Sequence, residues 1–278
     1  MVSEGVSKEL TQELYKGGYI QTIYNTKSER HQREGWTLKN WLWSPWFLNL
    51  RPLGDSPYLV NRISFHMNQM IRESVQGLTK IVGVEMAGVP LAATIGTKVG
   101  HSEGVRDGYI SSIPIPYAYT RPLPGGAKPR TPEEAAEILS KLKSHKEYGQ
   151  KELVEGTLRE GDVICIVDDM VTDFGSKLIA RYIIEHELAR RGIARESVRI
   201  DDVAVVLDRE QGGNEEARKN GMNMYSLIKF KTQGIGWLEG AMHPQEFALV
   251  SSYQNNPQLY QNPGMQKEAL DRANFLRG

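Results

Sequence analysis

In the stretch VICIVDDMVTDFGS, Val163 to Ser176, an apolar, β-branched run delivers two adjacent carboxylates, Asp168 and Asp169, to a short loop that enters a helical segment. The run Val163 to Val167 reads as a buried parallel strand, and Lys177 to Arg191 has helical periodicity through Leu178, Ile179, Tyr182, Ile183 and Leu188. The loop then lies at a strand's carboxyl end, where open α/β sheets bind ligands. Backbone N–H groups around Asp173, Phe174, Gly175 and Ser176 can point at a phosphate, aided by the helix dipole and the hydroxyls of Thr172 and Ser176. Asp168 and Asp169 repel a phosphate, so their natural partners are ribose hydroxyls and a Mg2+ that bridges to further phosphates. This chemistry suits a sugar phosphate. The plainer alternative is a polar strand end followed by a helix cap.

The elements that must hold this site are ordinary globular ones. A chain of 278 residues can bury a full core, as one elaborated domain or one domain with a small appendage. Lys plus Arg and Asp plus Glu number 34 each, which removes any general electrostatic case for nucleic acid or an anionic membrane. An anion site must therefore be local. The single Cys165 falls inside the expected central strand, which excludes an intramolecular disulfide framework and fits a reducing compartment. No run approaches the roughly 20 apolar residues of a membrane span, and MVSEGVSKELTQEL lacks the apolar core of a signal peptide. The expectation is a cytoplasmic protein.

Along the chain, residues 4 to 16 read as an amphipathic helix with Leu10, Leu14 and Tyr15 on one side, followed by the aromatic-rich GWTLKNWLWSPWFLNLR. Tyr58 to Gln76 is an expected helix, and Ile81 to Glu85 a short apolar strand. That strand ends in MAGVPLAATIG, where Ala87-Gly88 permits a tight turn and Pro90 suits a first helical turn. Ile113 to Thr120 is a plausible strand, with Pro114 and Pro116 assigning part of it to an edge. A long insertion, Arg121 to Gly161, holds an expected helix from Pro132 to Leu142 and the polar run KSHKEYGQKE; such a loop reads as a functional lid. Val203 to Leu207 and Met224 to Phe230 are further strands. The alternation of helices with uninterrupted apolar strands predicts an α/β fold whose mostly parallel sheet carries helices on both faces. Residues 232–278 read as a C-terminal extension of helices and turns packed on the main domain.

Four segments, in order, resemble the orotate phosphoribosyltransferases, a family within the type I phosphoribosyltransferases. WTLKNWLWSPWFLN is similar to that family's TLKSGR-x-SPYF-x-N stretch, and GVEMAGVPLA to its pyrophosphate loop. IVDDMVTDFGS resembles the phosphoribosyl-pyrophosphate signature, and VAVVLDREQGG the base-site strand end. The resemblance spans roughly residues 35 to 230. It implies a type I phosphoribosyltransferase fold over residues 1–231, with a hood from about 1–60, a mobile loop at about 121–161 and a C-terminal extension from 232.

The implied activity is Mg2+-dependent transfer of the phosphoribosyl group from phosphoribosyl pyrophosphate to orotate, giving orotidine 5'-phosphate and pyrophosphate, a step of pyrimidine biosynthesis. Asp168 and Asp169 would hold the ribose hydroxyls and the Mg2+, directly or through those hydroxyls, diphosphate and water. Thr172, Asp173, Phe174, Gly175 and Ser176 would grip the 5'-phosphate, while Ala87 and Gly88 would meet the diphosphate. Lys143 and His145 match the family loop's K-x-H portion and Arg121 its first arginine, all three for pyrophosphate stabilisation. Lys39 would reach base and diphosphate, and Phe47, Thr172 and Arg209 would complete the orotate site. The family's loop is supplied across a dimer interface, so a homodimer with shared sites is implied.

Some residues depart from that pattern. Phe174 stands where the phosphate loop usually has glycine, a side chain that would oppose a positive φ or bring a ring near the ribose phosphate. NWLW replaces SGR-x, Met86-Ala87 stands where some members carry Tyr-Lys, and Pro122 replaces a second basic residue. Transfer to another nucleobase, or a regulator that binds the donor without turning it over, are the competing readings. Most of the rings of Trp41, Trp43, Trp46 and Phe47 are expected in the core.

Overall fold

The computed structural model describes residues 2–38, 41–97, 114–123, 127, 129, 131–141 and 152–277. Two compact units divide the chain, one built from residues 3–59 with 228–278 and the other from 60–227 with the first two residues. Residues 232–278, expected as an extension of the main domain, fall within the segment 228–278 that groups with residues 3–59. The reason is side-chain pairing across the sequence, and each unit has its own framework.

In the first unit the helix Glu4–Lys16 starts at Ser3, whose hydroxyl caps Val6 N–H, and buries Leu10 and Leu14 completely. Strand β1 (Ile20–Thr22) pairs antiparallel with β4 (Trp46–Leu48), and β2 (Trp36–Thr37) with β3 (Trp43–Ser44). The C-terminal helices Pro244–Asn255 and Pro263–Arg277 complete it. Buried Glu246 accepts from Tyr15 Oη at 2.8 Å and from Thr22 Oγ1 at 2.5 Å. The Trp46 ring meets Phe230 and Tyr253 with centroids at 5.2 and 6.4 Å. Trp43 N–H donates to Gln261 Oε1 at 2.8 Å, and Gln261 Nε2 returns a bond to the Trp43 carbonyl at 3.2 Å. As expected, Trp43 and Trp46 are core residues, whereas Trp41 is 87% exposed.

The second unit is organised on a six-stranded sheet: β5 (Lys80–Gly83), β6 (Tyr117–Thr120), β7 (Val154–Glu155), β8 (Val163–Val171), β9 (Arg199–Asp208) and β10 (Asn223–Lys229), whose last two residues belong to the first unit. Its spatial order is β10-β9-β8-β5-β6-β7, with β5 parallel to β6 and β8, β8 parallel to β9, and β7 antiparallel to β6. Ile164 to Val167 and Val203 to Leu207 are fully buried residue after residue, the signature of strands covered on both faces. Helices Gly88–Gly96, Pro132–Lys141, Gly175–Arg190 and Gly213–Lys219 lie among the strands in sequence. This is the expected α/β, mostly parallel architecture.

Three local expectations are corrected. Strand β8 runs on through both aspartates to Val171, because β9 offers a register that pairs Asp168 with Val205 and Val171 with Asp208. The following helix accordingly begins at Gly175, earlier than the apolar periodicity indicated. Pro114 and Pro116 precede β6, which is interior to the sheet, and the short β7 forms the edge.

Candidate active site

Asp168 and Asp169 are both buried near the carboxyl end of β8, at 6% and 8% exposure. Successive strand side chains point to opposite faces. Asp168 shares its face with Ile164 and Ile166, which pack in one cluster with Leu178 and Ile183 of the helix Gly175–Arg190. That helix returns a charge. Lys177 Nζ lies 2.8 Å from Asp168 Oδ2, and Lys177 is itself only 3% exposed. Asp168 Oδ1 accepts from Asp169 N–H at 2.9 Å, and Asp169 Oδ1 from Met170 N–H at 2.7 Å. Burial, then the charge of Asp168, pushes the Asp169 carboxyl up from 3.8 to about 7. At neutral pH this group exchanges between an acceptor-only carboxylate and a carboxylic acid that can donate one hydrogen bond.

Thr172, Asp173 and Phe174 form the turn between β8 and the helix. Phe174 adopts φ 67°, so the left-handed conformation that usually calls for glycine is achieved with a side chain. Its ring is 1% exposed and belongs to the core cluster of the sheet and helix. The expectation of a blocked φ or a ring beside the phosphate is thereby corrected: packing of the ring offsets the backbone cost, and the ring points into the core. Asp173 Oδ1 accepts from Gly175 N–H at 3.2 Å, while Thr172 is partly exposed and Ser176 exposed. The turn therefore offers amides and hydroxyls to an anion, with one amide already held by an acid.

The neighbouring strand ends converge on this turn. A Cβ on Gly88 would meet the Val167 carbonyl, and one on Gly83 would meet the Gly88 carbonyl oxygen at 2.5 Å, so this helix start lies directly against β8 only because both residues lack a side chain. The Glu85–Met86 peptide is cis, and Glu85 N–H donates to Thr120 Oγ1 at 3.1 Å. Arg121, just past β6, pairs with Glu155 of β7 at 2.5 Å, both about one-third or more exposed. A cavity of about 200 Å3 has Glu85, Thr120, Arg121 and Ser176 in its walls; Asp168 and Asp169 are not among them. On the other side, Arg209 N–H donates to the Val171 carbonyl at 3.1 Å, and a Cβ on Gly213 would stand 2.8 Å from Val171 and 3.1 Å from the Thr172 carbonyl.

The structure thus brings Asp168, Asp169, Thr172 to Ser176, Gly88, Arg121 and Arg209 to the ends of adjacent strands in one unit. Phe47 belongs to the other unit, where Trp36 stacks between it and His31 with centroids at 6.1 and 4.9 Å. Lys39, Lys143 and His145 lie outside the described residues. Sequence reasoning missed Lys177. Its signal was present: Lys177, Ala180, Ile184 and Glu187 recur on one helical stripe, which places charge on a buried face.

No family model matches the chain. It is 25% identical over 183 residues to the orotate phosphoribosyltransferase of Methanocella arvoryzae, covering 63% of this chain and 79% of that protein. Over 216 residues it is 22% identical to the uridine 5'-monophosphate synthase of Bos taurus, covering 78% of this chain but 35% of that protein, so it spans about a third of the bovine relative. Among solved structures, the orotate phosphoribosyltransferase of Aeropyrum pernix aligns with a TM-score of 0.52 at 17% identity, over 84% of this chain and 98% of that one. At that identity the likeness speaks to the fold. Among the described residues, no helix is long and apolar enough to cross a membrane.

Proposed function

We propose that the chain, a distant relative of orotate phosphoribosyltransferases, transfers a phosphoribosyl group from phosphoribosyl pyrophosphate to orotate. The observation that carries this reading is the aspartate pair on β8, one turn from a helix start at which Thr172 is partly exposed and Ser176 exposed, with Arg209 one backbone hydrogen bond away. That order matches a ribose with a phosphate at one end and a planar anionic base at the other.

Departure of pyrophosphate leaves an electron-poor ribose and an anionic leaving group, so catalysis is chiefly positioning and charge stabilisation. Asp169 receives ribose hydroxyls and, as the carboxylate, stabilises the positive ring. Thr172 and Ser176 with the amides of residues 174–176 hold the 5'-phosphate. Arg121, and Lys143 and His145 of the insertion, balance the diphosphate. Arg209 receives the base.

Magnesium fits this site as a passenger of the donor. Both Asp168 oxygens already accept protein hydrogens, and among the described residues no group of three or more His, Cys, Asp or Glu could hold a metal ion. When bound, Mg2+ supplies neutralisation of the departing diphosphate. The insertion is assigned to the partner's site, making the protein a homodimer.

Incubation of the chain with Mg2+, phosphoribosyl pyrophosphate and orotate should consume orotate and release pyrophosphate; no turnover at high enzyme concentration overturns the reading. A second acceptor is favoured by one observation, the exposed Trp41 within the NWLW segment. Pyrophosphate release with another nucleobase but not with orotate would select it.

A further inference from the structure

Lys177 is a charged group in direct contact with the aspartate pair to which the reaction above gives no work. It is nearly as buried as the apolar core, and its three N–H bonds meet three acceptors: Asp168 Oδ2 at 2.8 Å, the Met170 carbonyl at 2.5 Å and Ser176 Oγ at 3.2 Å. A lysine is rarely buried without such saturation, because an ammonium stripped of water needs every proton accepted. The same lysine therefore joins the first aspartate, the strand that carries it and a hydroxyl of the anion cradle.

Its effect on the carboxylates is unequal. Asp168 has both oxygens engaged, one by Lys177 and one by Asp169 N–H. Only one protein donor among the described residues, Met170 N–H, reaches Asp169. We propose that Lys177 is a positioning residue that divides the pair: it holds Asp168 as an internal counter-ion, out of ligand contact, and leaves Asp169 as the carboxylate that receives the ribose hydroxyls. The inference rests on the phosphoribosyl reading above.

The physical need is charge balance. A polyanionic donor must approach two neighbouring carboxylates in a poorly solvated place, where like charges a few ångströms apart cost several kcal/mol even at an effective dielectric near 20. With Lys177 the local charge is one unit lower in magnitude, and Asp168 cannot swing toward the ligand. Without it, an unpaired Asp168 confronts both Asp169 and the incoming phosphates. Truncating one member of a buried ion pair is damaging for the same reason, and removing both members together is often tolerated.

The test uses the full chain and calorimetric binding of phosphoribosyl pyrophosphate with Mg2+. Lys177→Met should weaken binding at least about tenfold, and adding Asp168→Asn to it should recover affinity to within about threefold of the starting protein. Asp169→Asn should lose about a hundredfold and be rescued by neither change. Lys177→Arg, which keeps the charge, provides a second variant should Lys177→Met fold poorly; it should bind within about tenfold. If the double substitution binds as poorly as Asp169→Asn, Asp168 contacts the ligand and the proposal falls. It also falls if Lys177→Met lowers the melting temperature while leaving affinity unchanged, for then the lysine is only structural. Failure of the unaltered chain to bind the donor overturns the functional reading first, and this inference with it.

Discussion

Arg209 donates its backbone N–H to the carbonyl of Val171 at 3.1 Å, which ties the start of the DREQGG turn to the last residue of β8. The Arg209 main chain is thereby fixed next to the strand end from which the Thr172–Phe174 turn departs. Arg209→Ala should therefore raise the KM for orotate about tenfold or more, the loss of a charge-assisted contact, and leave the Kd for phosphoribosyl pyrophosphate within about threefold. Equal damage to both constants would remove Arg209 from the base site.

Asp169 links activity to pH and stability with opposite signs. Its carboxyl is raised from 3.8 to about 7 in the native state, so between those values the native state binds more protons than the unfolded one. The contribution of this group to stability is complete below about pH 4 and is lost as pH rises through 7. Asp169→Asn should hence leave stability unchanged at pH 4 and increase it at pH 8, by at most roughly 4 kcal/mol, while donor binding is lost at both. Urea melts at the two pH values check this. A shift of the same size at both would show that the carboxyl titrates normally.

Phe174 separates packing from chemistry. Phe174→Gly relieves about 1 kcal/mol of left-handed strain and forfeits about 3–5 kcal/mol of buried ring. Net destabilisation of about 2–4 kcal/mol in denaturant melts, with donor affinity changed less than about threefold, is the expected outcome. A large affinity change in a folded variant would return the ring to the binding site.

Asp173 competes with the ligand. Its carboxylate accepts the Gly175 N–H at 3.2 Å, an amide that a phosphate oxygen would otherwise use. Asp173→Thr should tighten binding of phosphoribosyl pyrophosphate by about threefold to tenfold, since one repulsive charge at a helix N-terminus is removed. Weaker binding would mean that the acid contributes to the site through a bound cation.

Shared sites predict recovery on mixing. Lys143→Ala and Asp169→Ala chains, each inactive alone, should regain up to about a quarter of normal site activity after subunit exchange, with one intact site in each mixed dimer. No recovery after exchange is verified would confine each site to one chain.

The chemistry-bearing residues were legible in the sequence wherever type and place sufficed. Two carboxylates after an apolar strand and a Thr/Ser-containing turn before a helix need only local pattern, and Leu10 with Leu14 announces the helix Glu4–Lys16 just as plainly. The extent of β8 was not legible, because Asp168 and Asp169 interrupt the apolar run while β9 supplies the pairing that continues it. Positive φ at Phe174 was hidden as well: local propensity opposes it and only the core around the ring favours it. Lys177 was not singled out in the sequence because its acceptors, Asp168 and Met170, sit on another element.

The packing of residues 3–59 with 228–278 carries a consequence for biosynthesis. Tyr15 and Thr22 wait for Glu246, more than two hundred positions downstream, and Trp46 waits for Phe230 and Tyr253. Emerging from a ribosome, the opening segment has apolar rings and no mate, while the intervening sheet can already collapse. Residues 228–278 must be synthesised before residues 3–59 are sheltered, and throughout this interval the nascent polypeptide is the species most exposed to chaperones and to aggregation.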